Sequence, residues 1–219
     1  RSFEKKNEEN LKKGKEALTQ LFEARVHIGN RRGHWHPQTA PYLYGVRQGI
    51  HLIDLKKTVL RLRKALTLVA NLLKEGGNLL IVGNRQENAF LVSALAKRYS
   101  NRVSFVTRRW IGGTLTNQES FALDPQKKKV RNKKMISYLQ GLPEDLTTID
   151  LVLILNVNGN NLLLRETDRL PLPSIGLVDT NSDPRKVSYV LPGNDDSISA
   201  HFLYCQALAY VIHKSLSNT

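Results

Sequence analysis

The strongest constraint in the sequence is a set of short apolar runs without polar alternation. Asn78–Val82 closes on Gly83, Asp150–Leu155 is apolar after its first residue, and Ser174–Val178 follows Pro171 and Pro173. A half-buried strand alternates apolar and polar residues, so a run that does not alternate has both faces covered. Stretches with helical spacing lie between these runs. Asp54 stands before the longest, in which Leu55, Val59, Leu62, Leu66, Val69 and Leu73 recur at three- and four-residue steps until Gly76-Gly77. Gln86–Tyr99, Asn160–Asp168 and Asp195–Leu216 read as further helices, with Val103–Val106 and Tyr189–Leu191 as strands. A short helix is expected over Leu11–Phe22. Strands alternating with helices predict the α/β class: a three-layer, doubly wound sheet of about five parallel strands in a single domain, residues 1–219.

Two segments interrupt the pattern. From His27 to Gly49 the chain is rich in Gly, Arg, His, Pro and Tyr, and it reads as an irregular stretch wrapped on a partner. Residues 1–53 are therefore expected to form an N-terminal helix followed by an extended, partner-facing region. Residues 118–142 read as a short basic insertion, helical or hairpin-like, in which Lys127, Lys128 and Lys129 crowd together.

Charge now bears on partners. The net charge is +14, but it is unevenly distributed. Residues 1–66 carry 15 basic and 6 acidic side chains and residues 67–135 carry 13 and 4, whereas residues 136–219 carry 5 and 9. The surplus faces a polyanion and the mildly acidic last third faces protein or solvent. The single cysteine, Cys205, excludes an intrachain disulfide or a multi-cysteine zinc module and reads as a small core residue. No apolar run is long enough to span a bilayer, and a polybasic membrane surface is the weaker alternative to a polyanion because no basic amphipathic helix with large apolar anchors stands out, so no membrane partner is expected. Nothing at the N-terminus reads as a signal peptide.

An open parallel sheet offers a ligand crevice at the carboxyl ends of its strands, so a nucleotide-binding enzyme is the natural competitor. The turn Val82-Gly83-Asn84-Arg85-Gln86 lacks the dinucleotide fingerprint, and there is no P-loop. Ile111-Gly112-Gly113-Thr114 can bend around a phosphate, but a lone glycine pair is more often a tight turn. Asp179 and Asp183 are spaced for a divalent cation, but the turn-capping role of such aspartates is the stronger reading. Asp195-Asp196 reads as the start of the last helix. His27, His34 and His36 lack cysteine or carboxylate companions, so neither a metal nor a cofactor is expected, and no catalytic residue emerges.

Arg108-Arg-Trp-Ile-Gly-Gly-Thr-Leu-Thr-Asn117 resembles the signature of the S2 family of small-subunit ribosomal proteins. Ala40–Leu55, Ser174–Pro184 and Leu191–Ile198 resemble three further motifs of that family, in order, and together they span residues from about 20 to 215. The resemblance implies a five-stranded parallel sheet with a coiled-coil hairpin inserted after the Trp-Ile-Gly-Gly segment. It also implies a non-catalytic, structural role on the small subunit, with ribosomal RNA and other small-subunit ribosomal proteins as partners. Two positions depart from the family pattern: Asn30 replaces a usual second histidine, and His36 replaces an asparagine before proline. The insertion is shorter than in bacterial members, and with the strong positive charge this fits an organellar member. A mitochondrial ribosome is favoured over a chloroplast or a bacterial cytoplasm.

The residues expected to meet RNA phosphates are Arg25, Arg31, Arg32, Arg47, Lys56, Lys57, Arg108, Arg109 and Lys127–Lys129. His34, Trp35, Tyr42 and Tyr44 are candidates for stacking on bases or ribose. Trp35 and Trp110 are read equally well as packing residues. A soluble nucleotide-binding enzyme and a non-ribosomal adaptor remain the alternatives.

Overall fold

The computed structural model describes residues 14–117 and 138–217. Lys127, Lys128 and Lys129, with most of the expected insertion, lie outside them. A first helix, α1, covers residues 14–23, and residues 11–13 of the expected helix are outside the described part.

Three short strands follow: β1 (Ile28–Arg31), β2 (Leu43–Arg47) and β3 (Ile50–Ile53). They form an antiparallel sheet in the order β1-β3-β2. The expected irregular run is thus corrected to a small sheet. Its hairpin is a two-residue turn in which Gln48 and Gly49 have φ of 51° and 76°. Positive φ at both central residues matches the twist of the flanking strands, and a turn of this kind is usually signalled by Asn-Gly, which Gln48 obscures. The connection from Arg32 to Tyr42 is two 3-10 turns.

Helix α2 (Leu55–Lys74) starts as expected, with Asp54 accepting a hydrogen bond from the Lys56 amide at 2.9 Å. It stops where Gly76 turns to φ 83° and the Gly77 amide returns to the Leu72 carbonyl. Strand β4 (Leu79–Val82), α3 (Gln86–Arg98), β5 (Val103–Val106), β6 (Leu151–Ile154), α4 (Asn161–Arg169), β7 (Ser174–Val178), β8 (Tyr189–Pro192) and α5 (Ile198–Leu216) complete the chain. All five strands of the second sheet are parallel, in the order β5-β4-β6-β7-β8.

The apolar strands do what their lack of alternation requires. Leu79, Ile81, Leu151, Leu153, Ile175 and Leu177 face one core with Val69 and Leu73 of α2, Val92 of α3 and Tyr204, Cys205 and Leu208 of α5. Leu80, Val82, Val152, Ile154 and Val178 face the other core, with Trp110, Leu115, Leu163 and Leu164. Two cores on either side of one sheet make the three layers. Cys205 is buried and its thiol is pushed up to about 12, so it packs rather than reacts. No helix among the described residues is long and apolar enough to cross a membrane.

Gly176 of β7 has no room for a side chain. A Cβ there would lie 2.5 Å from Val187 Cγ1 and 2.7 Å from Val157 Cγ2. Gly176→Ala is expected to cost about 1–3 kcal/mol through overpacking, checked by urea denaturation.

Candidate nucleic-acid interface

The small antiparallel sheet is fastened to the carboxyl ends of the parallel strands through Thr180, just beyond β7. Thr180 Oγ1 accepts from the Asn30 amide at 2.8 Å, and the Thr180 carbonyl accepts from the His36 amide at 2.7 Å. Asn194, just beyond β8, makes the second fastening. Its Nδ2 donates to the Arg25 carbonyl at 3.0 Å, and its amide donates to the Val26 carbonyl at 3.1 Å. Segments from the two halves of the chain therefore meet at the carboxyl rim of the sheet.

That placement brings several of the expected cations together. Arg31 and Arg47 both stand opposite Ile50, on the two strands flanking β3, so they lie about 10 Å apart, two strand spacings. The Arg32 amide donates to the Gly49 carbonyl at 2.8 Å, so Arg32 joins the same tip. All three side chains are exposed. Trp35 stands beside them, partly exposed and tilted over the buried His51 ring at 4.9 Å. Burial and the positive Arg32 lower the His51 pKa, so the ring beneath the indole is neutral at pH 7. His34 is exposed on the same turn, and Tyr44 is exposed on β2. Tyr42 is half-buried, with the Arg61 guanidinium 5.8 Å from its ring centroid.

Other expected residues are placed differently. Arg25 is exposed but sits in the left-handed region at φ 59°, where it ends α1. Lys56 is exposed. Lys57 donates to the Pro41 carbonyl at 2.6 Å and lies 3.7 Å from Asp54, so part of its charge is engaged within the chain.

Arg108 and Arg109 form a second basic site, exposed at the carboxyl end of β5. It lies at the same rim, three strand spacings from β7, about 14 Å. The loop that presents these arginines is built on a residue absent from the expectations above. Glu166 of α4 is only 5 % exposed. Its Oε1 accepts from the Trp110 indole at 3.0 Å and the Gly113 amide at 2.8 Å. Its Oε2 accepts from the amides of Leu115 at 2.8 Å and Thr116 at 3.4 Å. The glycine turn thus cradles the protein's own carboxylate in place of a phosphate, and Trp110 is a packing residue. A glutamate at the i+3 position from Leu163, on the apolar stripe of α4, is the signal that could have revealed it.

Protein side chains also pair with each other where a nucleotide crevice would lie. Strand order reverses between β4 and β6, where such crevices form. There Asn84 and Asn160 exchange side-chain hydrogen bonds at 2.9 and 3.3 Å, and Asn160 also donates to the Asn156 carbonyl at 2.7 Å.

The aspartates divide. Asp183 caps its turn as expected, accepting from the Arg185 amide at 3.0 Å, and its paired Arg185 side chain holds its pKa down to about 2. Asp179 bonds its own backbone as expected, Oδ1 accepting from the Thr180 amide and the carbonyl from the Ser182 amide at 3.1 Å, but it is also buried and faces Asp195. Asp195-Asp196 is corrected. Helix α5 starts only at Ile198, and Asn194 Oδ1 organises the preceding turn by accepting from the Asp196 and Ser197 amides. Asp195 turns inward, fully buried, with Arg85 at 3.4 Å. Burial pushes Asp179 up to about 6 and Asp195 up to about 7. Among the described residues, Asp179, Asp195 and Asp196 are the carboxylates close enough to share a cation, with ligand oxygens within 4.8 Å of one another. Arg85, ion-paired to both Asp195 and Asp196, already places a positive charge there. His27 stacks on Phe22 at 4.4 Å, and His36 Nδ1 accepts from the Gln38 amide, so the N-terminal histidines do not converge.

Comparison with known proteins gives this architecture its relatives. The profile of the family described as Ribosomal protein S2 matches residues 21–215. The chain is 36 % identical over 223 residues to the small ribosomal subunit protein uS2 of Acidiphilium cryptum, covering 92 % of this chain and 86 % of that one. It is 34 % identical to the protein of the same name from Bartonella henselae, covering 88 % and 82 %, and 34 % identical to that of Cereibacter sphaeroides, covering 88 % and 85 %. A match that runs from α1 almost to the end of α5 takes in both basic sites and the residues that hold them, and on it the chain belongs to the ribosomal protein S2 family.

Proposed function

We propose that this chain is a structural, non-catalytic constituent of the small ribosomal subunit that binds ribosomal RNA and neighbouring ribosomal proteins. The observation that carries the RNA-binding part is the presence of two exposed arginine sites, Arg31/Arg32/Arg47 on the small sheet fastened beyond β7 and Arg108/Arg109 just beyond β5, both toward the carboxyl ends of the parallel strands. Presented from the small sheet and from the end of β5, these guanidinium groups reach phosphates on separate backbone segments. Arg25, Lys56 and Lys127–Lys129 add to the positive field, and Lys57 adds less. Trp35, His34 and Tyr44 supply faces for unpaired bases. The relatives carry the small-subunit name. Against the nucleotide-enzyme reading stand the Asn84–Asn160 pair in the crevice and Glu166 in the glycine turn.

The test is sedimentation. The tagged chain is expected in the small-subunit peak of a sucrose gradient, and exclusion from that peak would support the adaptor instead. Replacing Arg31, Arg32, Arg108 and Arg109 with alanine is expected to deplete the chain from that peak. It should also lower the salt slope of RNA affinity by about 3, because each phosphate contact contributes about 0.7–0.9. Undiminished incorporation with an unchanged slope rejects the assignment of these arginines. Saturable binding of a nucleotide with Mg²⁺, measured by calorimetry, rejects the reading altogether.

The compartment we propose is the mitochondrion. The net charge of +14 and the short insertion support it. Fractionation of the source cells checks it, with recovery in chloroplasts or cytoplasm as the contrary result.

A further inference from the structure

The face of the molecule formed by α1, α3 and α5 is unlike the arginine rim. Ile198, Phe202 and Tyr210 recur at multiples of four along α5 and are 61, 55 and 67 % exposed; Phe90 on α3 is 77 % exposed. Single exposed apolar residues need no explanation, but a stripe of this size does. These four line one groove of about 1280 Å³ between the three helices. From Ile198 to Tyr210 the stripe runs about 18 Å, the length of a twelve-residue helix. The charged residues lining the groove are Glu16 and Glu23 on α1 and Glu87 on α3, with no lysine or arginine among the lining residues. Lys214 approaches at the far end, 6.0 Å from the Tyr210 ring. An acidic rim on a chain of net charge +14 disfavours RNA on this face and favours a basic partner.

We propose that this groove is a docking site for an amphipathic helix of another ribosomal protein. Its apolar stripe is three to four turns long and is flanked by Lys or Arg that meet Glu16, Glu23 and Glu87. This rests on the small-subunit reading for the partner's membership of the particle. The geometry fits helix-in-groove recognition, in which apolar anchors at three- and four-residue steps enter the groove. A second copy of this chain is disfavoured because the same face would oppose glutamate to glutamate. Residues 1–13 are a poor match, since Phe3 and Leu11 are the only large apolar residues there and cannot cover four anchors.

The experiment places photoreactive benzoylphenylalanine at position 210 of the tagged full chain and irradiates purified small subunits. The expected product joins the chain to one other ribosomal protein. Sequencing of the linked peptide is expected to show apolar residues at three- and four-residue spacing and a surplus of Lys and Arg. Phe202→Glu, an exposed change with an unchanged melting temperature, should leave co-sedimentation intact and reduce the cross-link at least tenfold. Glu23→Lys with Glu87→Lys should do the same. A cross-link to RNA, to a second copy or to residues 1–13 overturns the proposal, as does no protein cross-link in particles that contain the chain. If the unsubstituted chain fails to enter small subunits, the ribosomal reading falls and this inference falls with it; co-sedimentation without the cross-link removes this inference alone.

Discussion

Glu166→Ala lowers the stability of the folded chain by about 3–5 kcal/mol, at the upper end of what a single substitution does. The figure follows from what the carboxylate holds. Three of its four hydrogen bonds are 3.0 Å or shorter, and they come from the Trp110 indole and from the Gly113 and Leu115 amides. Alanine leaves those donors with no acceptor in a site that water barely reaches, and each orphaned buried donor costs about 1–3 kcal/mol. The costs overlap because one loop relaxation answers several of them. For a chain of this size a loss of that order lowers the melting temperature by roughly 10 °C. Glu166→Gln keeps the shape but points an NH2 at amide donors on one side, so it should recover about half of the loss. Urea denaturation followed by Trp110 fluorescence in a Trp35→Phe background reads both variants. A Glu166→Ala curve superimposable on the parent removes the structural role assigned to this carboxylate.

The functional consequence is separable from stability. Arg108 and Arg109 are presented by the segment that leads into the Glu166 cradle, so the variant should bind RNA less well even at temperatures where it remains folded. The loss should resemble that of Arg108→Ala with Arg109→Ala.

Much of this was legible from periodicity alone. Strands buried on both faces announce themselves by continuous apolar runs, and Asp54 and Gly76 mark the ends of α2 by local chemistry that needs no tertiary partner. The small sheet was hidden because β1, β2 and β3 are four or five residues long, with Gly and Arg on the two edge strands and a buried His51 on the central one, a composition that reads as loop. The arginine candidates could be named from sequence because an exposed cation announces itself by type, and the structure places them at the surface. Their supports could not. Glu166, Thr180, Asn160 and Asn194 act through partners 50 to 169 positions away in sequence, a separation that composition and spacing do not encode. The same blindness explains Asp195, read as a helix start and found to be buried.

Asp195→Asn is expected to stabilise the chain at pH 8 by about 2 kcal/mol more than it does at pH 5.5. In the folded state burial raises the Asp195 pKa to about 7, with Asp179 and Asp196 adding repulsion and Arg85 opposing it. The unfolded chain releases the same proton near pH 4. Between these values the folded state binds more protons, so this group's contribution to stability falls as pH rises. Asp179, raised to about 6, acts in the same direction. Asp183 acts oppositely, since a pKa held down to about 2 gives stability that is lost only as pH falls below about 4. His27, His51 and His201 have lowered values and withdraw stability as pH drops below about 6.5. The parent's pH curve therefore mixes opposing slopes, whereas the difference between parent and Asp195→Asn cancels Asp183 and leaves Asp195 together with its coupling to Asp179 as the main slope. From pH 5.5 to about 7 the Asp195 carboxyl loses 1.5 pH units of preferential protonation, at about 1.4 kcal/mol each. Asp179 Oδ2, buried without a donor among the described residues, lies in the same cluster as the new asparagine amide. Arg85 keeps Asp196 as its ion pair. Denaturation at both pH values in the presence of a chelator, so that protons alone neutralise the cluster, reads the difference. A stability gain that is the same at pH 5.5 and pH 8 means that Asp195 is already ionised in the folded state at pH 5.5 and that Arg85 offsets its burial.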